Sequence, residues 1–234
     1  MNLIIASTST IYGQVYLEYL KPTLLEFYKS SNEILFIPYA RPSGISHEVY
    51  TEKASTFFSG IDKKLIGIHT FSNPVEAIQN AKAIFTGGGN TFMLLDQLYK
   101  NNLISPLRTI LKSGIPFLGT SAGSNITGLT IGTTNDMPVV YPPSFDALQL
   151  VPFNINPHFQ DPIEGNIHMG ETRETRIGEF IQFNTQPVIG LREGSWIHVT
   201  GNKAVLKGDL SARLFQQNQK TVELNAGSDL SFLL

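Results

Sequence analysis

A serine stands between two glycines in the segment Gly119-Thr120-Ser121-Ala122-Gly123. The apolar run at residues 115–119 predicts a buried strand, and the residues after Ser121 predict a helix. A serine at such a strand-to-helix corner projects its hydroxyl above the sheet edge, and the flanking glycines avoid contacts that a Cβ would make. The G-x-S-x-G pattern therefore predicts that Ser121 is a nucleophile, with an ordinary glycine-rich turn as the alternative.

A second glycine-rich segment, Gly87-Gly88-Gly89-Asn90, follows a predicted strand and precedes a predicted helix. A dinucleotide-binding loop needs G-x-G-x-x-G, but Phe92 stands where the third glycine belongs, and no G-K-[ST] follows. We therefore expect no cofactor. Exposed amides in such a loop can stabilise the negative charge of a tetrahedral intermediate. Gly88 or Gly89 would supply one N–H group of this oxyanion hole, and Ala122 would supply the other.

A serine hydroxyl needs a general base to take its proton, and the chain has five histidines. His158 is predicted to be that base. It lies in Asn156-Pro157-His158-Phe159, after the apolar run at residues 148–153, and the fixed φ of Pro157 restricts the backbone there. Structural or solvent-exposed roles are expected for the other four histidines, which are His47, His69, His168 and His198.

A third group must orient the imidazole and stabilise its cation, and two carboxylates compete for this role. Glu193 follows a predicted strand at residues 188–191, in the turn at the end of that strand. Asp136 lies closer to Ser121 in the sequence, in a polar stretch after the serine corner. An α/β-hydrolase has the chain order serine, acid, histidine, which Asp136 followed by His158 would obey and Glu193 would not. The residues alone leave both carboxylates open.

The elements that could position these side chains alternate along the first half of the chain. Short apolar runs predict strands near residues 3–6, 34–37, 65–68, 83–86 and 115–119, with helices between them, the first over about residues 12–28. This alternation is typical of a doubly wound α/β fold with a mostly parallel sheet, in which ligands bind at the carboxyl ends of the strands. The second half contains short, closely spaced runs, among them residues 139–140 and 148–151, which predict C-terminal antiparallel hairpins. We interpret residues 1–234 as a single domain.

Composition narrows the classes of function. The net charge of −2 and the isoelectric point near 6.2 predict no binding to nucleic acid. Without cysteine there are no disulfides or thiolate ligands, and the histidines show no H-x-x-x-H or H-E-x-x-H spacing, so no metal is expected. The N-terminus has no basic segment typical of a signal peptide, and no apolar run approaches the roughly 18 residues of a membrane span. We therefore expect a cytoplasmic location without a membrane partner.

Five motifs occur in the order seen in the peptidase E family, the α-aspartyl dipeptidases. They are GGGNTF at residues 87–92, GTSAG at 119–123, NPHF at 156–159, GETR at 170–173 and EGSW at 193–196. The chain resembles this family, which is related to cyanophycinase, over most of its length. The resemblance implies a class I glutamine-amidotransferase-like fold and hydrolysis of dipeptides with an N-terminal aspartate.

The resemblance also implies roles for single residues. It maps the nucleophile onto Ser121, the base onto His158 and the orienting acid onto Glu193. Asp136 matches a family aspartate that has been placed in the charge relay. Amidotransferases carry a glutamate two residues after the histidine, but Gln160 stands at that position here, so the orienting carboxylate must come from elsewhere.

A substrate with a β-carboxylate in its first position needs a fixed cation in its pocket. Arg173 and Arg176 are three residues apart on a helix predicted over residues 171–183, so they share one face. Arg173, in the GETR motif, is the favoured pocket residue, and a solvent-exposed, salt-bridged helix surface is the alternative.

The sequence therefore predicts a serine dipeptidase that hydrolyses Asp-X dipeptides through an acyl-enzyme on Ser121. The enzyme alternatives are a cyanophycinase-like hydrolase and an esterase with the same machinery. A non-catalytic binding protein on the same fold is the alternative from a different class, because a fold does not determine a function.

Overall fold

A computed structural model describes residues 1–41, 44–162, 165 and 170–234. The strands of these residues are β1 (Asn2–Ala6), β2 (Glu33–Ile37), β3 (Lys64–Gly67), β4 (Ile84–Thr86), β5 (Pro116–Thr120), β6 (Asn154–Pro157), β7 (Val188–Leu191), β8 (Trp196–Thr200), β9 (Lys203–Lys207), β10 (Ala212–Phe215) and β11 (Val222–Leu224). The α-helices are α1 (Lys21–Phe27), α2 (His47–Ser59), α3 (Pro74–Asn80), α4 (Thr91–Lys100), α5 (Ile104–Lys112), α6 (Ala122–Asn125) and α7 (Arg173–Phe183). Short 3₁₀ helices span Glu18–Leu20, Ile68–Thr70 and Ser231–Leu233.

Seven strands form a central sheet in the order β3-β2-β4-β5-β1-β8-β9. The five strands from β3 to β1 are parallel, and β8 and β9 extend one edge in antiparallel orientation. Leu3 of β1 pairs with Phe117 of β5, and both side chains are fully buried. The prediction of a mostly parallel α/β sheet is confirmed.

Apolar side chains cover both faces of the central sheet. Along β1, Leu3 and Ile5 belong to one core cluster, and Ile4 and Ala6 belong to the other. This alternation follows from the two-residue period of a strand. The first cluster packs against α3, α4 and α5, and the second packs against α1 and α2. The fold is therefore doubly wound, and its loops gather at the carboxyl ends of the parallel strands.

Polar N-cap residues fix where the helices near this edge begin. Asn90 accepts a hydrogen bond from the Met93 amide at the start of α4, and Thr172 accepts one from the Thr175 amide at the start of α7. Such caps satisfy amides that would otherwise lack an intrahelical partner. They set the entry of α4 after the glycine-rich loop and place Arg173 in the first turn of α7.

The second sheet has four strands in the order β11-β10-β7-β6. β10 pairs antiparallel with both β11 and β7, whereas β6 pairs parallel with β7. Antiparallel strands are thus present in the second half, as predicted, but β6 departs from the hairpin pattern. The prediction of strands at residues 139–140 and 148–151 is wrong. The amides of Leu148 and Leu150 donate to the carbonyl oxygens of Ile126 and Thr127, after α6, so this segment packs on a helix end.

The two helix predictions have different outcomes. The helix predicted over residues 171–183 is confirmed as α7, which begins two residues later. The helix predicted over residues 12–28 is wrong in its first part, because Leu17 has a φ of 57° and donates its amide to the Ser9 carbonyl. In the described part of the chain, no helix combines the length and the hydropathy that a membrane crossing requires.

Candidate active site

Ser121 stands at the corner between β5 and α6 in a rare backbone conformation, with φ 54° and ψ −111°. Its amide donates to the Ala6 carbonyl at 3.1 Å, which ties the corner to β1. Packing requires both flanking glycines. A Cβ on Gly119 would lie 2.4 Å from the Gly123 carbonyl oxygen, and one on Gly123 would lie 2.2 Å from that of Thr86. The rare backbone conformation of Ser121 is strained, and such strain costs roughly 1–3 kcal/mol and is concentrated at functional sites.

His158 follows β6 directly and reaches the serine. Its Nε2 lies 2.8 Å from Ser121 Oγ. The His158 backbone has a φ of 53°, and its amide donates to Ser7 Oγ at 2.8 Å. The buried Ser7 hydroxyl in turn donates to the Leu191 carbonyl, at the end of β7, at 2.7 Å. Ser7 therefore holds the backbone of His158 against the strand that leads to Glu193.

Glu193 lies in the turn after β7, and its Oε1 is 2.6 Å from His158 Nδ1. In this arrangement a neutral imidazole donates from Nδ1 to the carboxylate and accepts from the serine hydroxyl at Nε2. The side chains of His158 and Glu193 are 35% and 45% exposed, so a substrate can approach them from solvent. The central sheet supplies Ser121 and the second sheet supplies the other two residues.

Asp136 lies in a different environment. Its Oδ2 accepts hydrogen bonds from the Thr91 amide, the first residue of α4, at 2.7 Å and from the Thr134 hydroxyl at 3.0 Å. Both bonds stabilise a carboxylate at the positive end of a helix dipole. The neighbouring Asn135 side chain donates to the Pro157 carbonyl at 2.6 Å, so the loop rests against β6. The structure thus brings Glu193, and not Asp136, into hydrogen-bonding contact with His158.

The glycine-rich loop after β4 lies against the serine. A Cβ on Gly88 would be 3.0 Å from the Cβ of Ser121. Gly89 has a φ of 145°, a backbone conformation that residues with a side chain rarely adopt. Among the described residues, the amides of Gly88, Gly89 and Ala122 have no hydrogen-bond acceptor. Unpaired amides next to a serine hydroxyl are what an oxyanion hole requires.

The two candidate pocket arginines lie on α7 beside a cavity of about 60 Å³ that Asn135 and Asn156 also line. Burial lowers the pKa of Arg173, the nearby Arg176 lowers it further, and Asp136 acts in the opposite direction. Within the described ranges, Arg173 makes no ion pair, whereas the exposed Arg176 lies 3.7 Å from Glu171. Of these two arginines of α7, Arg173 is therefore the one without an ion-pair partner among the described residues.

The described histidines other than His158 make their contacts elsewhere in the fold. His69 packs against His47 and lies 3.7 Å from Glu48, and burial lowers its pKa. His198 is half-buried on β8 beside the Phe27 ring, which is a structural position. His168 lies outside the described residues. The residues that the structure describes contain no cluster of three or more histidine, aspartate or glutamate side chains that could hold a metal.

Two contacts of the site are missing from the sequence-based prediction. Ser7 directly follows β1, and its position at the carboxyl end of a parallel strand was an available signal. Tyr50 of α2 donates its hydroxyl to the Gly88 carbonyl at 3.0 Å. Because the two residues are 38 positions apart, no local pattern connects them.

Comparisons with known proteins identify the family of this chain. Residues 3–207 match the model of peptidase family S51. A Drosophila melanogaster protein named "Probable alpha-aspartyl dipeptidase" is 46% identical over 100% of this chain and 97% of its own length. A Streptomyces coelicolor protein named "Peptidase E" is 44% identical over 100% of this chain and 95% of its own. The crystal structure of a peptidase from an acI-B1 Actinobacterium shares the fold, with a TM-score of 0.71 and 19% identity over 99% of this chain and 96% of that one. The chain belongs to peptidase family S51.

Proposed function

We propose that this protein is a serine dipeptidase that hydrolyses dipeptides with an N-terminal aspartate through an acyl-enzyme on Ser121. The observation that carries the proposal is the continuous contact from Glu193 Oε1 to His158 Nδ1 and from His158 Nε2 to Ser121 Oγ, at 2.6 and 2.8 Å. Both distances lie within hydrogen-bond reach, which a nucleophile and its base require. The name of the Drosophila relative supports a dipeptidase of this specificity, and the name of the Streptomyces relative supports a peptidase.

The contacts assign one role to each side chain. His158 Nε2 accepts the Ser121 proton as Oγ attacks the carbonyl carbon of the scissile bond. The negative charge that develops on the carbonyl oxygen is stabilised by the Ala122 amide and an amide of Gly88 or Gly89. The protonated imidazole, stabilised by Glu193, then gives its proton to the leaving amino group. Water then attacks the ester carbon of the acyl-enzyme while His158 takes its proton, the bond from the carbon to Ser121 Oγ breaks, and His158 returns the proton to Oγ as the aspartate leaves.

Specificity for aspartate is assigned to the α7 side of the site. Arg173 carries a partly buried positive charge without an ion-pair partner among the described residues, and Arg176 lies one turn further along the helix. A β-carboxylate at Arg173 would complete the pairing of that charge. Asp136, close enough to influence Arg173, acts mainly on substrate binding in this proposal.

The remaining parts of the proposal concern the context of the enzyme. We propose that residues 1–234 act as one domain and that the protein works in the cytoplasm on small peptides. The absence of cysteine gives no support for secretion, and the net charge of −2 argues against a nucleic-acid substrate.

A dipeptide panel tests the function directly. Asp-Leu, Glu-Leu, Asn-Leu, β-Asp-Leu and Asp-Leu-Leu are compared at equal concentration, with Ser121→Ala as the inactive control. We expect the turnover of Asp-Leu to be far higher than the turnover of each of the other four peptides. Preferential cleavage of β-Asp-Leu would instead favour the cyanophycinase-like alternative, and absence of any turnover would favour a binding protein.

A further inference from the structure

Tyr50 is a buried polar residue next to the site for which the proposed mechanism has no role. It lies in the first half of α2, its side chain is 3% exposed, and its hydroxyl donates to the Gly88 carbonyl oxygen at 3.0 Å. Burial raises the pKa of Tyr50. The hydroxyl therefore keeps its proton, and its capacity to donate, at neutral pH.

The ring of Tyr50 is itself held in place. Phe36 of β2 packs edge-on against it at 5.1 Å between ring centroids, and the Arg41 guanidinium lies 4.8 Å from the ring centroid. A Cβ on Gly87 would lie 2.2 Å from the Tyr50 hydroxyl, so the ring tip rests directly on the glycine-rich loop. The hydrogen bond to Gly88 therefore comes from a donor with little freedom to move.

This bond constrains the orientation of one peptide group. In a trans peptide the carbonyl and the amide point in opposite directions. Because the Gly88 carbonyl is directed at Tyr50, the Gly89 amide points away from Tyr50. Ser121 lies against the same part of the loop, since a Cβ on Gly88 would be 3.0 Å from the Cβ of Ser121. Glycine has little torsional preference of its own, so consecutive glycines do not fix this orientation. An external contact has to select it.

We propose that Tyr50 is a positioning residue for the oxyanion hole, and that its hydroxyl holds the Gly88–Gly89 peptide so that the Gly89 amide faces the intermediate on Ser121. The inference rests on the proposed serine-hydrolase function. Without the hydroxyl, the peptide also populates the flipped orientation, in which the carbonyl oxygen repels the developing oxyanion. Only the fraction with the amide inward then reacts, so kcat falls in proportion to that fraction.

Tyr50→Phe removes one oxygen and keeps the ring. Its matched control is Tyr28→Phe, because Tyr28 is also fully buried and donates its hydroxyl to a backbone carbonyl, that of Ile84 in β4, at 3.2 Å. We expect Tyr50→Phe to lower kcat for Asp-Leu about tenfold with KM unchanged, less than the 10²–10³-fold loss of a deleted oxyanion donor. Tyr28→Phe should change only the melting temperature. A kcat of Tyr50→Phe within about twofold of wild type, or equal losses in both variants, would overturn the proposal.

A second readout does not need dipeptide turnover. The rate at which a fluorophosphonate labels Ser121 also depends on the oxyanion hole, so it should fall by a similar factor in Tyr50→Phe and stay unchanged in Tyr28→Phe. If wild-type protein is labelled but hydrolyses no Asp-X dipeptide, the dipeptidase assignment fails while the role of Tyr50 is still tested. If Tyr50→Phe does not fold, Gly87→Ala displaces the same hydroxyl and should slow labelling equally, and an unchanged rate in that variant would contradict the role.

Discussion

Glu193 and Asp136, the two carboxylates that the sequence offers as partners of His158, have different surroundings. Glu193, at the end of β7, contacts the His158 ring at 2.6 Å with a side chain that is 45% exposed. Asp136 lies near Arg173, and its Oδ2 accepts hydrogen bonds from the Thr91 amide, at the start of α4, and from the Thr134 hydroxyl. In the proposed mechanism, Glu193 assists the movement of a proton, and Asp136 belongs to a group of fixed charges that bind the substrate.

The difference shows that nearness in the sequence is a poor guide to which carboxylate contacts the histidine. Asp136 is 15 positions from Ser121 and Glu193 is 72 positions away, yet the pairing of β6 with β7 brings His158 and Glu193 together. Pro157 pairs with Leu191 in that register, one and two residues before the two side chains. The parallel pairing of β6 with β7 therefore places Glu193, rather than Asp136, next to His158.

The largest loss of kcat is expected from changes at Ser121 and His158, which contact each other next to Glu193. Ser121→Ala and His158→Ala should each lower kcat by several powers of ten, up to about 10⁶-fold, and the double mutant should be little worse than either. Steady-state hydrolysis of Asp-Leu measures the loss, and circular dichroism checks the fold. Additive losses, or more than about a tenth of kcat left in Ser121→Ala, would break the assignment of one concerted unit.

A change at Arg173, near Asp136, should reduce the selectivity for aspartate and leave the reactivity of Ser121 unchanged. Arg173→Met should abolish a preference for Asp-Leu over Asn-Leu of about 10²-fold, because the β-carboxylate loses its charged partner. The rate of Ser121 labelling by a fluorophosphonate should stay at the wild-type value. Arg176→Met is the matched control on the same helix. Persistence of the preference in Arg173→Met would assign the pocket cation to another residue.

A smaller effect concerns the charged cluster beside Glu193. Arg192 forms a two-bond contact with Asp161 and also binds Glu223 and Ser211. The hydrogen bond from Arg192 lowers the pKa of Asp161. Burial alone would raise the pKa of Glu223, but the bonds from Arg192 and Ser211 lower it overall.

Groups with a lowered folded-state pKa stabilise the fold above their unfolded-state pKa values of about 4, and this stability is lost as the pH falls through the folded values. Arg192→Met should therefore lower the melting temperature more at pH 7 than at pH 3. The excess should be about 2–4 °C, the shift for ~1 kcal/mol, since half-exposed carboxylates are screened. Lys64→Met, which breaks an exposed pair with Glu33, is the control and should show no such dependence. Equal losses for Arg192→Met at both pH values would contradict the cluster's role.

Local patterns predicted the parts of the molecule that depend on neighbours in the sequence. The G-x-S-x-G pattern lies within five residues, so the serine corner could be predicted locally, although the contact that excludes a side chain at Gly123 is with the distant Thr86. The parallel strands were visible because burial on both faces gives continuous apolar runs. The segment at residues 148–151 was mistaken for a strand because an apolar run does not reveal which partner receives its amides.

Contacts between distant segments could not be predicted in the same way. The bond from the His158 amide to Ser7 spans 151 positions, and the bond from Tyr50 to Gly88 spans 38. Each depends on the side-by-side arrangement of strands, which hydrophobic periodicity does not specify. For the same reason, the residues alone left Glu193 and Asp136 as alternatives, and the family resemblance was needed to rank them.

The most direct test of the account compares the two carboxylates in one assay of kcat and KM with Asp-Leu. Glu193→Gln keeps the geometry but spoils the imidazole tautomer and its cation, so kcat should fall by about 10⁴-fold. Asp136→Asn should leave kcat nearly unchanged and raise KM about tenfold, the cost of a weakened hydrogen bond to a charged group. The reverse result, a large loss of kcat in Asp136→Asn with Glu193→Gln close to wild type, would contradict a triad of Ser121, His158 and Glu193.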